Sequence, residues 1–349
     1  MPQLESTINM TAASHTGPDN DPLRPGQTLR VALLSNPASG RNRQGMDKIR
    51  GILAAHPEVA HYEAHSPEEI STALNRMRAH APDVLAINSG DGTIAATLTA
   101  LFNERPFSQQ PLLALLRGGT TNMTAGDVGM HGNARQALQK LLRWARAVDP
   151  DVALRQRAPL RVQTGPDMPP MYGMFFGAGA IIGGIEYCHR KILRPGMRDG
   201  FGPALCTLRM LIALARGDRR YVAPVNTRIS SHPALTHDGQ TRDYFILMAS
   251  ALERLFLGSH PYWGENQGAF HYTAIQSHAR HALWTIPAIF WGRGGRRATA
   301  DNGYWSRKLD CLQLEMSATF TIDGELYPLA GKAGPLHISS AAPTRFLCF

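Results

Sequence analysis

Three apolar runs, at residues 29–35, 83–87 and 111–116, each end in a polar loop of small residues. The first leads into Asn36-Pro37-Ala38-Ser39-Gly40, with Arg41 and Arg43 behind it. The second leads into Asn88-Ser89-Gly90-Asp91-Gly92-Thr93, and the third, through Arg117, into Gly118-Gly119-Thr120-Thr121-Asn122. Helical spacing resumes after each loop. Continuous apolar strands alternating with helices describe a parallel sheet covered on both faces, because only there are both sides of a strand buried. In such a sheet the loops after the strands gather at one carboxyl edge, where ligands bind. A glycine lets backbone amides approach an anion closely, and the helix that follows adds its positive N-terminus. Asp91 would repel that anion unaided. A divalent cation between the two removes the conflict, so the loop points to a metal–nucleotide complex. An ordinary strand-to-helix turn also favours Gly, Asp and Thr, but three such loops on one sheet edge make a site.

The motifs Asn36-Pro37-x-Ser39-Gly40, Gly90-Asp91-Gly92-Thr93 and Gly119-Thr120-x-Asn122 resemble the nucleotide loops of the diacylglycerol kinase catalytic domain. That superfamily also holds sphingosine kinases, ceramide kinases and bacterial lipid kinases. The likeness continues at Thr321-Ile322-Asp323-Gly324-Glu325, similar to the family's C-terminal Asp-Gly-Glu, and so spans residues 29–345. Ser89 stands where the family usually has another glycine, a variant that resembles the sphingosine kinase loop. Arg117 stands where many relatives carry proline; it is either an added cation near the phosphates or a solvated loop residue. The resemblance implies a lipid site in a second, β-rich domain, with a cleft between the domains holding both substrates.

Kinase chemistry needs a held triphosphate, charge neutralisation on the γ-phosphoryl group and an acceptor for the substrate hydroxyl's proton. Loop donors around Gly40, Gly92, Gly119 and Thr120, with Ser39, Ser89, Gly90 and Thr93 beside them, serve the first need. Mg²⁺ brought near by Asp91 serves the second. Asp323, with Glu325 close by, is the candidate for the third. In an extended segment residues two apart share a face, so both carboxylates would look into one cleft. Which carboxylate does what stays open, and Asp-Gly is by itself a frequent hairpin turn. Asn36 and Asn122 either contact the nucleotide or cap loop backbone. Arg41 and Arg43 either pair with phosphates or are solvated. The expected cofactors are ATP and Mg²⁺.

The chain's 349 residues and 43% hydrophobic content suffice for two globular domains. A formal charge of +9 suits anionic partners such as nucleotide phosphates or an acidic lipid surface. Nucleic acid is set aside, since no DNA- or RNA-binding motif is found. Cys188, Cys206, Cys311 and Cys348 form no C-x-x-C pair, and the histidines show no metal-binding spacing.

Residues 1–27 are polar and turn-rich and read as a disordered tail. Residues 28–148 read as the α/β nucleotide domain, with helices near 44–56, from an N-cap at Ser66, and at 93–103, 121–127 and 133–147. Residues 149–349 read as a β-rich, antiparallel, sandwich-like domain, its last strand free to return to the first domain. Its expected strands lie at 158–164, 171–176, 221–230, 243–249, 270–275 and 312–322, interrupted by a helical stretch near 185–216. The longest apolar helical candidate, 204–215, is too short to cross a bilayer. The expected setting is cytoplasmic with peripheral contact to an anionic membrane. Two stretches set apolar or aromatic residues beside cations: 185–198, and 283–297 with Trp284, Phe290 and Trp291 next to Arg293, Arg296 and Arg297. Each is either a membrane-surface segment or a core helix with a basic end.

The expected activity is ATP- and Mg²⁺-dependent transfer of a γ-phosphoryl group to a lipid hydroxyl, diacylglycerol-like first and ceramide or a sphingoid base next. A homodimer stays open. One rival is a soluble-substrate kinase such as NAD kinase, similar at the Gly-Asp-Gly-Thr loop. The other is a non-catalytic lipid-binding module. The first loop motif and Asp323-Gly324-Glu325 favour the lipid branch, and the retained Asp91, Asp323 and Glu325 speak against an empty scaffold.

Overall fold

The computed structural model describes residues 23–149, 152–192, 224–329 and 334–349. Residues 1–22 of the expected tail and the helical stretch beyond 192, Cys206 included, lie outside these. So does the side chain of Cys188.

β1 (Val31–Ser35), β3 (Val84–Ser89) and β4 (Leu112–Arg117) run parallel, with β2 (Ala60–Glu63) outside β1. Alternate residues serve opposite layers. Leu34, Leu85, Ile87 and Leu115 pack with Leu74 of α2 (Pro67–Met77) and Leu98 of α3 (Asp91–Glu104). Leu33, Val84, Ala86 and Leu116 pack with Ile49 of α1 (Asn42–Ala54) and Leu141 of α5 (Ala134–Arg146). Between these helices comes the short α4 (Met123–Asp127). Helix starts follow local chemistry. Ser66 Oγ accepts from Glu69 N at 3.3 Å ahead of Pro67, and Asn133 and Gln136 form a reciprocal capping box.

Two strands join this sheet from farther along the chain. β5 (Ala153–Arg157) and β17 (Thr344–Cys348) give the order β2-β1-β3-β4-β17-β5, with β17 parallel to β4 and antiparallel to β5. The first sheet therefore reaches past residue 148 before the chain leaves it, a departure from the expected boundary. β5 is polar and solvent-facing along most of its length, so it carries no apolar strand signal.

Among the described residues the second sheet has eleven strands, all of its pairs antiparallel. They are β6 (Leu160–Gln163), β7 (Met171–Gly173), β8 (Phe175–Gly179), β9 (Val225–His232), β10 (Thr241–Ser250), β11 (Phe270–Gln276), β12 (Tyr304–Leu309), β13 (Cys311–Met316), β14 (Phe320–Ile322), β15 (Glu325–Tyr327) and β16 (Leu336–Ser340). β10 is the trunk. Its first half pairs with β9 and its second half with β8, while β11 follows the other edge. The expected strand at 171–176 is two strands, because the backbone of Met174 turns aside: its N–H donates to Asp323 Oδ2 and its carbonyl accepts from Ala251 N. The expected strand at 312–322 is likewise two, β13 and β14.

α3 lies between the sheets and joins them. Thr99 Oγ1 accepts from Tyr172 N at 2.9 Å, Asn103 Nδ2 donates to Pro170 O at 2.9 Å, and Phe102 stacks on Tyr172 with ring centres 4.7 Å apart. One apolar core runs from Leu34 through Leu98 to Phe176, Leu247 and Leu314. Among the described residues no helix is long and apolar enough to cross a membrane.

A loop edge facing a carboxylate hairpin

The three loops after β1, β3 and β4 are tied together by backbone. Arg41 N and Asn42 N both donate to Gly118 O, and Asn36 N donates to Asn88 O. Ser39 Oγ accepts from Gly90 N at 3.3 Å. A β-carbon on Gly119 would run into Gly90 Cα, so the second and third loops touch through bare backbone. Asn122 stands at φ 51° and spends both amide atoms on Gly119, its Oδ1 accepting from the N–H at 2.8 Å and its Nδ2 donating to the carbonyl at 2.7 Å. Asn36 Oδ1 accepts from Ala38 N, and its Nδ2 donates to Thr93 Oγ1 at 2.9 Å. Both asparagines thus brace loop backbone. Ser89 is buried and its hydroxyl turns onto Gly90 O. Gly40, Arg41 and Thr120 are exposed, Gly92 is half-buried, and Arg43 Nε donates to Ala38 O. Arg117 is half-buried.

Asp91 opens α3, yet its carboxylate reaches another helix. Oδ2 accepts from Met123 N at 3.0 Å and Oδ1 from Thr124 N at 2.9 Å, the first amides of α4. Two helix N-termini converge on one carboxylate, a favourable placement for negative charge. Burial pushes the Asp91 carboxyl up from its ordinary value, against the pull of these amides.

Asp323 and Glu325 do not lie on one extended strand as their spacing suggests. Ile322 pairs with Glu325, and Asp323 and Gly324 form the two-residue loop between them at φ 50° and 93°. Positive φ at both central positions is the type I′ hairpin turn that Asp-Gly favours. The turn is buried at its first residue. Asp323 is 4% exposed, its N–H donates to Phe175 O, and its Oδ2 accepts from Met174 N at 2.8 Å. Its Oδ1 is buried without a hydrogen-bond partner. Burial, and then the neighbouring Asp91, push this carboxyl well above the ordinary aspartate range. Glu325 is exposed and lies against the first turn of α3: a β-carbon on Gly92 would collide with its carboxylate. The hairpin and the loop edge, over two hundred residues apart in the chain, are therefore in contact.

Three contributors carry no motif. Asn42, 2% exposed, donates from Nδ2 to Asn36 O at 2.9 Å and to Asn88 O at 2.8 Å, pinning the first two loops. Its only sequence signal is a place just after Gly40 where a helix begins. Asp127 and Arg157 pair at 3.2 Å, and Asp127 Oδ2 also accepts from Glu253 N, so α4 is held to the second sheet at one end and to Asp91 at the other. Among the described residues no three His, Cys, Asp or Glu side chains converge as a metal cage. Mg²⁺ needs none, since it is held by one or two carboxylates plus substrate phosphates. The hard carboxylate oxygens of Asp91, with Glu325 lying against the adjoining Gly92, suit that ion.

Residues 30–150 match the family model described as the diacylglycerol kinase catalytic domain. No curated protein matches the sequence. A solved structure from Bacillus anthracis str. Sterne aligns at 14% identity over 92% of this chain and 97% of its own, with a TM-score of 0.60. A second, described as a diacylglycerol kinase of the same organism, aligns at 14% identity over 91% and 96%, with a TM-score of 0.56. A yeast NADH kinase complexed with NADH, at 10% identity over 96% and 88%, has a TM-score of 0.39, too low to support any comparison. At such identities the likeness is one of fold. The stretch that resembles the diacylglycerol kinase catalytic domain holds β1 to α5 and all three loops, and the antiparallel half that follows shares the overall fold of the Bacillus structures.

Proposed function

We propose that the protein is a lipid kinase that transfers the γ-phosphoryl group of ATP, bound with Mg²⁺, to a lipid hydroxyl, with diacylglycerol-like acceptors first. The observation that carries this reading is Asp323: a buried carboxyl with one oxygen held by Met174 N and the other free, on a hairpin seated against the loop edge. The loops around Gly40, Gly92 and Thr120 hold the phosphates through backbone, those at Gly90 and Gly119 being tied to Ser39 and Asn122, with the exposed Arg41 as an added cation. Asp323 Oδ1 accepts the proton of the acceptor hydroxyl as its oxygen attacks phosphorus. A carboxyl whose proton affinity is raised toward the working pH is a better acceptor for that step. Mg²⁺, when bound, neutralises charge on the phosphoryl group in transfer. Asp91 keeps α3 and α4 aligned beneath the loops and leaves a lone pair on each oxygen, and Glu325 sits at the mouth. Ser89 faces its own loop, so it gives no reason to prefer sphingolipids; ceramide and sphingoid bases stay second.

The test is transfer of radiolabel from ATP to a panel of diacylglycerol, monoacylglycerol, ceramide, sphingosine and NAD. Label in extracted diacylglycerol, abolished by Asp323→Asn, is expected. Label in NAD alone, or in no acceptor, overturns the reading, and full turnover by Asp323→Asn overturns the proton-acceptor role.

A further inference from the structure

Past α6 (Ala180–Ile192), which follows β8, α7 (Ala282–Phe290) packs on the second sheet through Ile286 and Ile289, buried with Phe245, Ile275 and Tyr304. Its outer face is apolar as well. Leu283 is 52% exposed, Trp284 75% and Trp291, just past the helix, 51%. Trp284, Pro287 and Trp291 recur at the spacing of one helical stripe, and all three are exposed. A surface helix ordinarily turns polar residues to water. The Phe256–Gly258 turn, with Leu257 48% exposed, comes near the end of α7, because His260 N donates to Phe290 O. Arg280, Arg293, Arg296 and Arg297, with His278 and His281, are exposed around this apolar face, against a single neighbouring acid in the sequence, Asp301.

We propose that this face docks onto an anionic lipid bilayer, with Trp284 and Trp291 entering the headgroup boundary and the arginines meeting lipid phosphates. Aromatic bodies flanked by an excess of cations match a fluid acidic surface, which needs no fixed geometry from its partner. The patch is also suitably placed. Phe175 O holds the Asp323 amide, and at the far end of β8 Gly179 leads to Ala180, buried with Ile286 and Ile289. β8 has five residues at about 3.4 Å each and α7 is about 10 Å thick, so a bilayer under α7 lies on the order of 25 Å from the free carboxyl oxygen. The inference goes beyond the kinase reading and does not require it.

The test is sedimentation of the full chain, without nucleotide, with phosphatidylcholine vesicles lacking or containing phosphatidylglycerol. Binding only to the anionic vesicles, weakening with salt, is expected. Trp284→Ser with Trp291→Ser should lower partitioning at least about tenfold. Arg293→Gln, Arg296→Gln and Arg297→Gln should each cost about fivefold. Brominated acyl chains should quench tryptophan fluorescence in the parent and less in the double variant, with unchanged melting showing that the fold is intact. Equal binding to neutral vesicles, or unchanged binding by both sets of variants, overturns the proposal. So does a solution dimer that the tryptophan changes dissociate, since the face would then belong to a second copy. Failure to phosphorylate any lipid would leave these results standing.

Discussion

The loop edge of the first sheet and the hairpin of the second each contribute one buried aspartate, and the two are built to opposite ends. Asp91 has both oxygens engaged by the amides that open α4. Asp323 has one oxygen engaged and one left bare, at similar burial. The first carboxylate is a structural tie between helices. The second keeps a lone pair without a partner, at an energetic cost to the fold. Placement in a motif does not separate these roles; hydrogen-bond satisfaction does.

The sharpest way to break the comparison is Asp323→Asn. Turnover should fall by about 10²–10⁴-fold in the lipid-labelling assay, while the metal-free protein should melt a few degrees higher at pH 7–8. The sign follows from linkage. Above the ordinary aspartate pKa the unfolded chain ionises while folded Asp323 stays neutral, so stability is lost as pH rises from about 4 toward the raised folded value. Asparagine removes that loss, and the gain should vanish near pH 4. A lower melting temperature for Asp323→Asn would place it with Asp91 as a tie.

His237 tests the opposite sign within the same sheet. Burial among Tyr244, Tyr272 and Trp305 holds its imidazole down at about 4, with Nδ1 unpartnered and Nε2 3.3 Å from Tyr272 Oη. Between pH 6.5 and 4 the unfolded chain gains a proton that the folded chain refuses, so about 3 kcal/mol of stability is lost as pH falls. His237→Gln should flatten that acid limb in urea melts at pH 4.5 and 7.5. Asp91→Asn should cost about 2 kcal/mol, because an amide oxygen can accept from only one of the two α4 N–H groups comfortably. Stability unchanged by this substitution would refute the tie. Thr93→Val removes only the Asn36 contact and should cost about 1 kcal/mol, read by the same melts.

Most of the loop edge was legible because its signals are local. Buried parallel strands read as unbroken apolar runs, glycines mark where backbones touch, and Ser66 announces α2. The hairpin was half legible. Asp323-Gly324 gives the turn, but its burial depends on Met174 and Phe175, far away in sequence, so the turn and the acid looked like rival readings when they are one object. β5 and β17 were harder. The sequence Ala153-Leu154-Arg155-Gln156-Arg157 has no apolar alternation, and it becomes a strand only because residues 344–348 lie beside it. Asn42 and the Asp127–Arg157 pair are ordinary residues whose significance is purely spatial. The outward apolar stripe of α7 was visible as composition, but which side meets the sheet is set by Phe245, Ile275 and Tyr304, distant in sequence.

The position of Thr344–Cys348 has a bearing on biosynthesis. Until that segment emerges from the ribosome, the apolar margin of β4 has no hydrogen-bonding neighbour, however early the preceding helices form. Nascent copies of the protein would meet one another through that unsatisfied rim, which calls for chaperone shielding during translation. A product truncated before Thr344 would be a precipitate, not a smaller folded protein.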